Sequence, residues 1–195
     1  MTKLTPLVFL PFFLSFTSKS QTNLQAEKEC RITSGIGLAG ATNNAKSAGR
    51  EFWLQLDYKL SKNISLATEF ENVSYKLQGY DLTLPENFDG INVIGSNFSL
   101  LFKYHLETTL PLKFAVASGW TYTLKTNEHY YYEGGRTIQD LHRYVSTADS
   151  YEIPLLLEVR YPIWKAIDIQ ARVKCNLNTQ KQSNYSSGIG LSLRL

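Results

Sequence analysis

The sequence predicts an all-β fold, an eight-stranded antiparallel up-and-down transmembrane β-barrel. Three observations point to it. Polar and apolar residues alternate with period two in segment after segment, which is the pattern of strands and not of helices. Long and short connections alternate along the chain, as in barrels with short turns on one side of a membrane and longer loops on the other. Among its 195 residues the chain has 12 Tyr and 10 Phe against one Met, and aromatic enrichment favours strands.

The chain opens on an expected export signal spanning residues 1–20. Lys3 supplies a positive start, residues 4–16 are almost wholly apolar, and Thr17, Ser18, Lys19 and Ser20 form a small polar exit. The run is too short to span a membrane, and Pro6 and Pro11 argue against an anchor helix. Cleavage is expected near Ser20–Gln21, leaving 21–195 as a single domain. Glu27, Lys28 and Glu29 precede Cys30, so the sequence lacks the small apolar run that lipidation needs.

The first strand, 31–41, is glycine-rich and sets Ile32, Ile36 and Leu38 on one face. The second, 50–60, alternates Phe52, Leu54, Leu56, Tyr58 and Leu60 with Glu51, Trp53, Gln55, Asp57 and Lys59. The third, 64–77, starts on Ile64, Leu66, Thr68 and Phe70, then shifts phase to Val73, Tyr75 and Leu77. That shift predicts a bulge near Glu71–Asn72. The fourth, 97–106, presents Phe98, Leu100, Phe102 and Tyr104, and the fifth, 112–124, presents Phe114, Val116, Trp120, Tyr122 and Leu124. The sixth, 152–163, sets Ile153, Leu155, Leu157 and Val159 against Glu152, Pro154, Glu158 and Arg160. The seventh, 167–178, is the cleanest, with Ile167, Ile169, Ala171 and Val173 against Asp168, Gln170, Arg172 and Lys174. The eighth closes the chain with Ile189, Leu191, Leu193 and Leu195 opposite Gly188, Gly190, Ser192 and Arg194.

The long connections are then 42–49, 78–95, 125–149 and 179–185, and the short ones 61–63, 107–111 and 164–166. With an even strand count, both termini fall on the short-turn side, the periplasmic side of an outer-membrane barrel. No other apolar run reaches the length of a spanning helix, so an integral chain of this kind closes as a barrel.

Alternation leaves open which face is inside, since a lipocalin-like soluble barrel reverses the membrane arrangement. Size decides. An eight-stranded barrel has an interior just wide enough for side chains, and the dense apolar face would crowd it. The small residues Gly35, Gly37, Ala115, Ala117, Gly188 and Gly190 share the charged face, which suits a narrow lumen. The expected lumen charge network is Glu51, Asp57, Lys59, Glu69, Lys103, Glu152, Glu158, Arg160, Asp168, Arg172, Lys174 and Arg194. Its acids and bases nearly balance, so they can pair, as burial demands. A plugged barrel is expected in place of an open pore.

Tyr151-Glu152-Ile153-Pro154-Leu155-Leu156-Leu157-Glu158 resembles a signature on the sixth strand of the outer-membrane β-barrel family common in Bacteroidota, which includes PorT-like proteins. Ser34-Gly35-Ile36-Gly37-Leu38 resembles that family's first strand, and residues 60–66 its first periplasmic turn. Leu195 departs from the terminal aromatic usual in outer-membrane barrels. The resemblance implies an outer-membrane location and no shared catalytic site. PorT-like members are associated with a secretion system, which makes a secretion-complex protein one implied partner.

Chemistry-bearing motifs are sparse. Cys30 and Cys175 fall at opposite ends of the strand layout and are expected as free thiols. There is no CxxC and no Cys/His ligand cluster, so no cofactor or metal is expected. The signal takes two of the 20 basic residues, Lys3 and Lys19, against 17 acids, and the nearly neutral remainder does not steer toward nucleic acid. Glu128, His129, Glu133, Asp140, His142 and Ser146 offer acid, base and hydroxyl types in one loop, without diagnostic spacing for catalysis, and no enzyme is expected. Tyr130-Tyr131-Tyr132 before Gly134-Gly135-Arg136 reads first as a strand hairpin with the glycines at its tip. The candidate partner-binding residues are Tyr80, Phe88, Tyr130, Tyr131, Tyr132 and Arg136. The expected partners are outer-membrane lipid and another outer-membrane or secretion-complex protein. The leading functional reading is a structural or accessory subunit; a narrow solute pore and a rim-located enzyme stand behind it.

Overall fold

The computed structural model describes residues 29–41, 45–77, 91–132, 141–178 and 183–195. The expected export signal, with Tyr80, Phe88 and Arg136, lies outside them. Eight strands run in chain order: β1 Cys30–Ala41, β2 Ala45–Lys59, β3 Ile64–Leu77, β4 Ile91–Leu106, β5 Lys113–Tyr132, β6 Leu141–Pro162, β7 Ile167–Leu177 and β8 Asn184–Arg194. Each pairs antiparallel with the next, and β1 pairs with β8 to close the barrel. Closure satisfies the backbone and leaves no lateral edge through the wall.

The period-two pattern places charge inside and bulk outside. Ile36 and Ile189 are 69% and 62% exposed, as direct neighbours across the β1–β8 seam. Arg172 and Lys174, on the opposite pleat of β7, are almost wholly buried. The reverse arrangement of a soluble barrel is thereby excluded. Aromatic side chains tie neighbouring strands on the outer wall: Phe70 with Phe98 at 5.1 Å, Phe102 with Trp120 edge-on at 6.3 Å, and Tyr122 with Tyr151 at 5.3 Å between ring centres. A surface this apolar all round has lipid as its solvent.

The two ends differ. At the turn end, the main chain closes tightly, with the Leu60 N–H donating to the Ile64 carbonyl at 2.9 Å and the Ile163 N–H to Ile167 at 3.0 Å. The Leu195 N–H donates to the Cys30 carbonyl at 2.9 Å, fixing the last residue to the first strand. At the other end, the ladders run further than the alternation suggested. β4 begins at Ile91, and β5 and β6 stay paired out to Tyr132 and Leu141. Most of the expected 125–149 loop is therefore strand; Tyr130–Tyr132 are paired as the hairpin reading has them, while its Gly134–Gly135 tip lies outside the described residues. Alternation fails on the outer part of β6 for a physical reason: Tyr144, Val145 and residues 147–149 are all exposed, so neither face there needs to be apolar.

The expected bulge at Glu71–Asn72 does not occur. Glu71 pairs with Trp53 and Asn72 with Phe52 in unbroken register. Register shifts in this ladder lie instead between Ala45 and Ser47 and between Ser47 and Arg50. Val73 and Tyr75 never turn outward. They are buried with Ala39, Ala41 and Val93 in an apolar cluster inside the barrel. The change of phase marks a change in what fills the lumen, with the pleat unaltered.

Candidate functional site

The lumen is filled in layers, each built from inward positions that share a height on neighbouring strands. Nearest the turn end is a quartet from β2, β4 and β6. The Lys103 ammonium donates to Asp57 at 2.8 Å and to Glu158 at 2.7 Å. The Arg160 guanidinium donates to the same two carboxylates at 2.8 and 3.0 Å, and its Nε to Gln170 at 2.9 Å. Two acids face two bases, so the layer is neutral and each charge has more than one partner. That is the condition for holding ions out of water.

Above it, on one side, Ala67, Leu101, Ala117 and Leu156 form a small apolar layer. Next comes a second ionic layer joining β2, β3 and β7. Arg172 reaches Glu51 and Glu69 and lies 3.3 Å from Glu71. Lys174 donates to Glu69 at 2.6 Å, to Glu71 at 2.7 Å and to Ser99 at 3.2 Å. Glu71 also accepts from Asn97 and Ser186, each at 2.9 Å. The Arg172 guanidinium stacks over Trp53, 4.0 Å from the ring centre, a contact that strengthens where water is excluded.

Trp53 bears on two of the seam glycines, Gly35 and Gly188. A Cβ added at Gly35 would meet the Trp53 ring at 2.2 Å, and one at Gly188 would meet it at 2.6 Å. The indole occupies the space that side chains on β1 and β8 would otherwise take. Nearer the far end, Glu152 accepts from Lys125 at 2.9 Å and from Ser150 at 3.2 Å. The apolar cluster of Val73 and Tyr75 follows, and the Tyr75 hydroxyl donates across it to Asn184 at 2.9 Å.

Of the expected lumen network, Glu51, Asp57, Glu69, Lys103, Glu152, Glu158, Arg160, Asp168, Arg172 and Lys174 are buried inside the barrel. Lys59 and Arg194 are not. Both sit at the turn-end rim beside Glu29, at 3.8 and 3.1 Å; each lies at the end of its strand, where the wall gives way to solvent. Arg31, which joins Glu29 and Asp168, and Glu71 belong to the network without having been expected. Strict parity with Glu69 would have found Glu71; the mistaken bulge concealed it.

At the rim, burial disfavours the charge on Glu29, but Arg31, Arg194 and Lys59 outweigh it and hold the carboxyl below its ordinary range. Hydrogen bonds from Lys62 at 2.8 Å and Asn63 at 3.2 Å do the same for Glu107 in the neighbouring turn. Cys30 and Cys175 are both free thiols. Among the described residues no cluster of His, Cys, Asp and Glu has a metal-binding arrangement. His129 lies opposite Tyr144 and His142 opposite Tyr131 in the β5–β6 ladder, which sets the two histidines on different rungs.

The β5–β6 hairpin is the other distinctive feature. The β6–β7 ladder stops at Ile153, opposite Leu177, whereas β6 continues to Leu141, paired among the described residues only with β5. The segment beyond is about 40 Å of strand. Its outer part carries Tyr144 and Val145, 58% and 43% exposed.

No family model matches the chain, and no curated protein matches it by sequence. Solved structures resemble it in fold. The attachment invasion locus protein Ail of Yersinia pestis superposes with a TM-score of 0.57 at 10% identity, covering 87% of this chain and 99% of that one. Neisserial surface protein A gives 0.55 at 15% identity, covering 84% and 96%. The outer membrane protein OprG of Pseudomonas aeruginosa gives 0.57 at 11% identity, covering 86% and 96%. At such identities the likeness is one of fold: this chain is an eight-stranded barrel of the kind those outer-membrane proteins adopt.

Proposed function

We propose that this protein is an integral barrel of a bacterial outer membrane that serves as an accessory subunit, closed to solutes and presenting its β5–β6 hairpin to another protein. One observation carries the reading: the lumen is occupied by interlocking ion pairs and an apolar layer, while the hairpin runs well past the β6–β7 ladder, which ends at Ile153, and a few rungs past the β4–β5 ladder, which ends at Glu128. A barrel whose interior is filled has its outer wall and its ends left for function. The fold of the outer-membrane barrels reported above supports the location. The Ile153-Pro154-Leu155 string and the glycine-rich first strand support a place among the Bacteroidota barrels. Tyr130, Tyr131 and Tyr132, at the far end of β5, are the contacts we assign to the partner protein.

Two measurements test this. Purified protein in planar bilayers is expected to give no sustained, ion-selective openings; such openings would favour the narrow-pore reading. Gentle detergent extraction from the native membrane is expected to bring down a second protein with the intact barrel and to lose it when residues 128–145 are replaced by a short Gly-Ser turn. A barrel that always emerges alone removes the accessory-subunit reading.

A further inference from the structure

The mouth at the turn end differs in charge from the lumen behind it. It holds a cavity of about 290 Å³ whose wall includes Arg31, Lys59, Lys62 and Lys113, with Glu29 and Glu107 as its rim acids. Those acids are already engaged. Glu29 serves Arg31, Arg194 and Lys59, and Glu107 serves Lys62. The quartet below is internally neutral, so Asp57 and Glu158 have no charge to spare. Lys113 has no hydrogen-bond or ion-pair partner among the described residues; the carboxylates that attract its charge, Asp168 and Glu29, are both bonded to Arg31. Lys113 is also set directly beside Arg160 across the β5–β6 ladder, and Arg31 directly beside Arg194 across the seam. Like charges placed opposite one another repel, and here they do so at the entrance to a concave, partly walled space. Ser65 and His105, hydrogen-bonded to each other at 2.7 Å, add polar groups to the same wall.

We propose that this mouth binds a small oxyanion bearing two charges, of the phosphate or dicarboxylate class, with Lys113 as its principal ligand. The excess positive charge draws the anion in to Lys113, which stands exposed at the mouth. The Lys113 ammonium donates to one anionic oxygen. The site faces away from the β5–β6 hairpin and does not depend on the proposed partner.

The test uses the mature barrel in an uncharged detergent, titrated with inorganic phosphate and separately with succinate, at constant ionic strength. Amide chemical shifts are followed by NMR. Saturable shifts confined to residues around Ser65, His105 and Lys113 are expected. Lys113→Gln should weaken binding about tenfold, the loss of one charge-assisted hydrogen bond. Lys165→Gln, in a turn at the same end but outside the cavity, should leave it unchanged. Every variant must keep heat-modifiable mobility on gels. Shifts that chloride reproduces would overturn the proposal, as would a Lys113→Gln affinity equal to the parent's. So would a Glu27→Gln variant that binds about tenfold tighter, because the chain's own carboxylate would then be the occupant. Saturation by phosphate alone, or by succinate alone, would identify which of the two chemistries the site takes.

Discussion

Replacing Arg172 by Met tests whether the lumen is dry and its ion pairs interlocked. Arg172 is the hub of the second ionic layer, contacting three carboxylates and the face of Trp53. Met preserves much of the volume but removes the charge. Breaking a buried ion pair by deleting one partner costs about 3–5 kcal/mol, because the other charge stays behind unpaired. The stacked cation contributes about 2 kcal/mol more when desolvated. Lys174 remains to serve Glu69 and Glu71 and limits the damage, so the expected loss is about 5 kcal/mol. Glu51 has no basic partner but Arg172 among the described residues. Adding Glu51→Gln to Arg172→Met should therefore recover about 2 kcal/mol by removing the stranded charge. Equilibrium urea unfolding in lipid vesicles measures both, followed by circular dichroism because Trp53 fluorescence itself changes. A single variant that loses less than about 1 kcal/mol would refute the argument, and so would a double variant no more stable than the single. Either result would mean that water reaches this layer.

Other outcomes follow from particular contacts. Gly35→Val should prevent folding, since a side chain there meets Trp53; Trp53→Ala in the same chain should restore heat-modifiable mobility, although Ile189 O at 2.6 Å keeps the rescue partial. Gly119→Val should fail with no such rescue, because its Cβ would lie 1.9 Å from the Leu100 carbonyl oxygen, which is backbone. The lowered pKa of Glu29 ties rim stability to pH: the contribution is present above about 4.5, its ordinary value, and is lost as pH falls through the folded value. Glu29→Gln should therefore lower stability at pH 7, and the gap to the parent should close in acid, as read by urea midpoints across pH 3–7. Replacing residues 128–145 by a short turn should leave the urea midpoint of the barrel within about 1 kcal/mol, because the ladders within the apolar belt do not include them.

Much of the fold was legible because lipid imposes a strict code. Each outward position on β7 is apolar and its inward neighbour polar, so Ile167 to Leu177 could be read residue by residue. The code weakens wherever the surroundings change. Val73 and Tyr75 are apolar and inward, a combination that mimics a change of register. Residues 125–132 and 141–149 are strand, and Tyr144, Val145 and residues 147–149 are all exposed, which leaves no alternation to read there. The ionic residues were legible by parity and charge, but their grouping was not. Glu69 and Lys174 lie far apart in sequence, and only barrel closure brings them to 2.6 Å. The seam glycines were visible as a pattern, while their causes, the bulk of Trp53 at Gly35 and Gly188 and close backbone carbonyls at Gly37 and Gly190, required the strand order. The cavity at the turn end had no sequence signal, since its lining comes from strands and turns that share no motif.

The placement of charge along the chain also bears on how the barrel is put together. The inward faces of β2 and β3 contribute Glu51, Asp57, Glu69 and Glu71, all acids below the rim, and the bases that answer them arrive later, on β4, β6 and β7. A chain that has delivered only its early strands carries an unanswered block of negative charge, which disfavours its settling into lipid. Charge comes close to balance only when the late strands swing round to face the early ones. The lumen thus works as an internal check on completion: the ion pairs that fill the finished barrel penalise every partly assembled one, and they draw the two ends of the sheet toward closure.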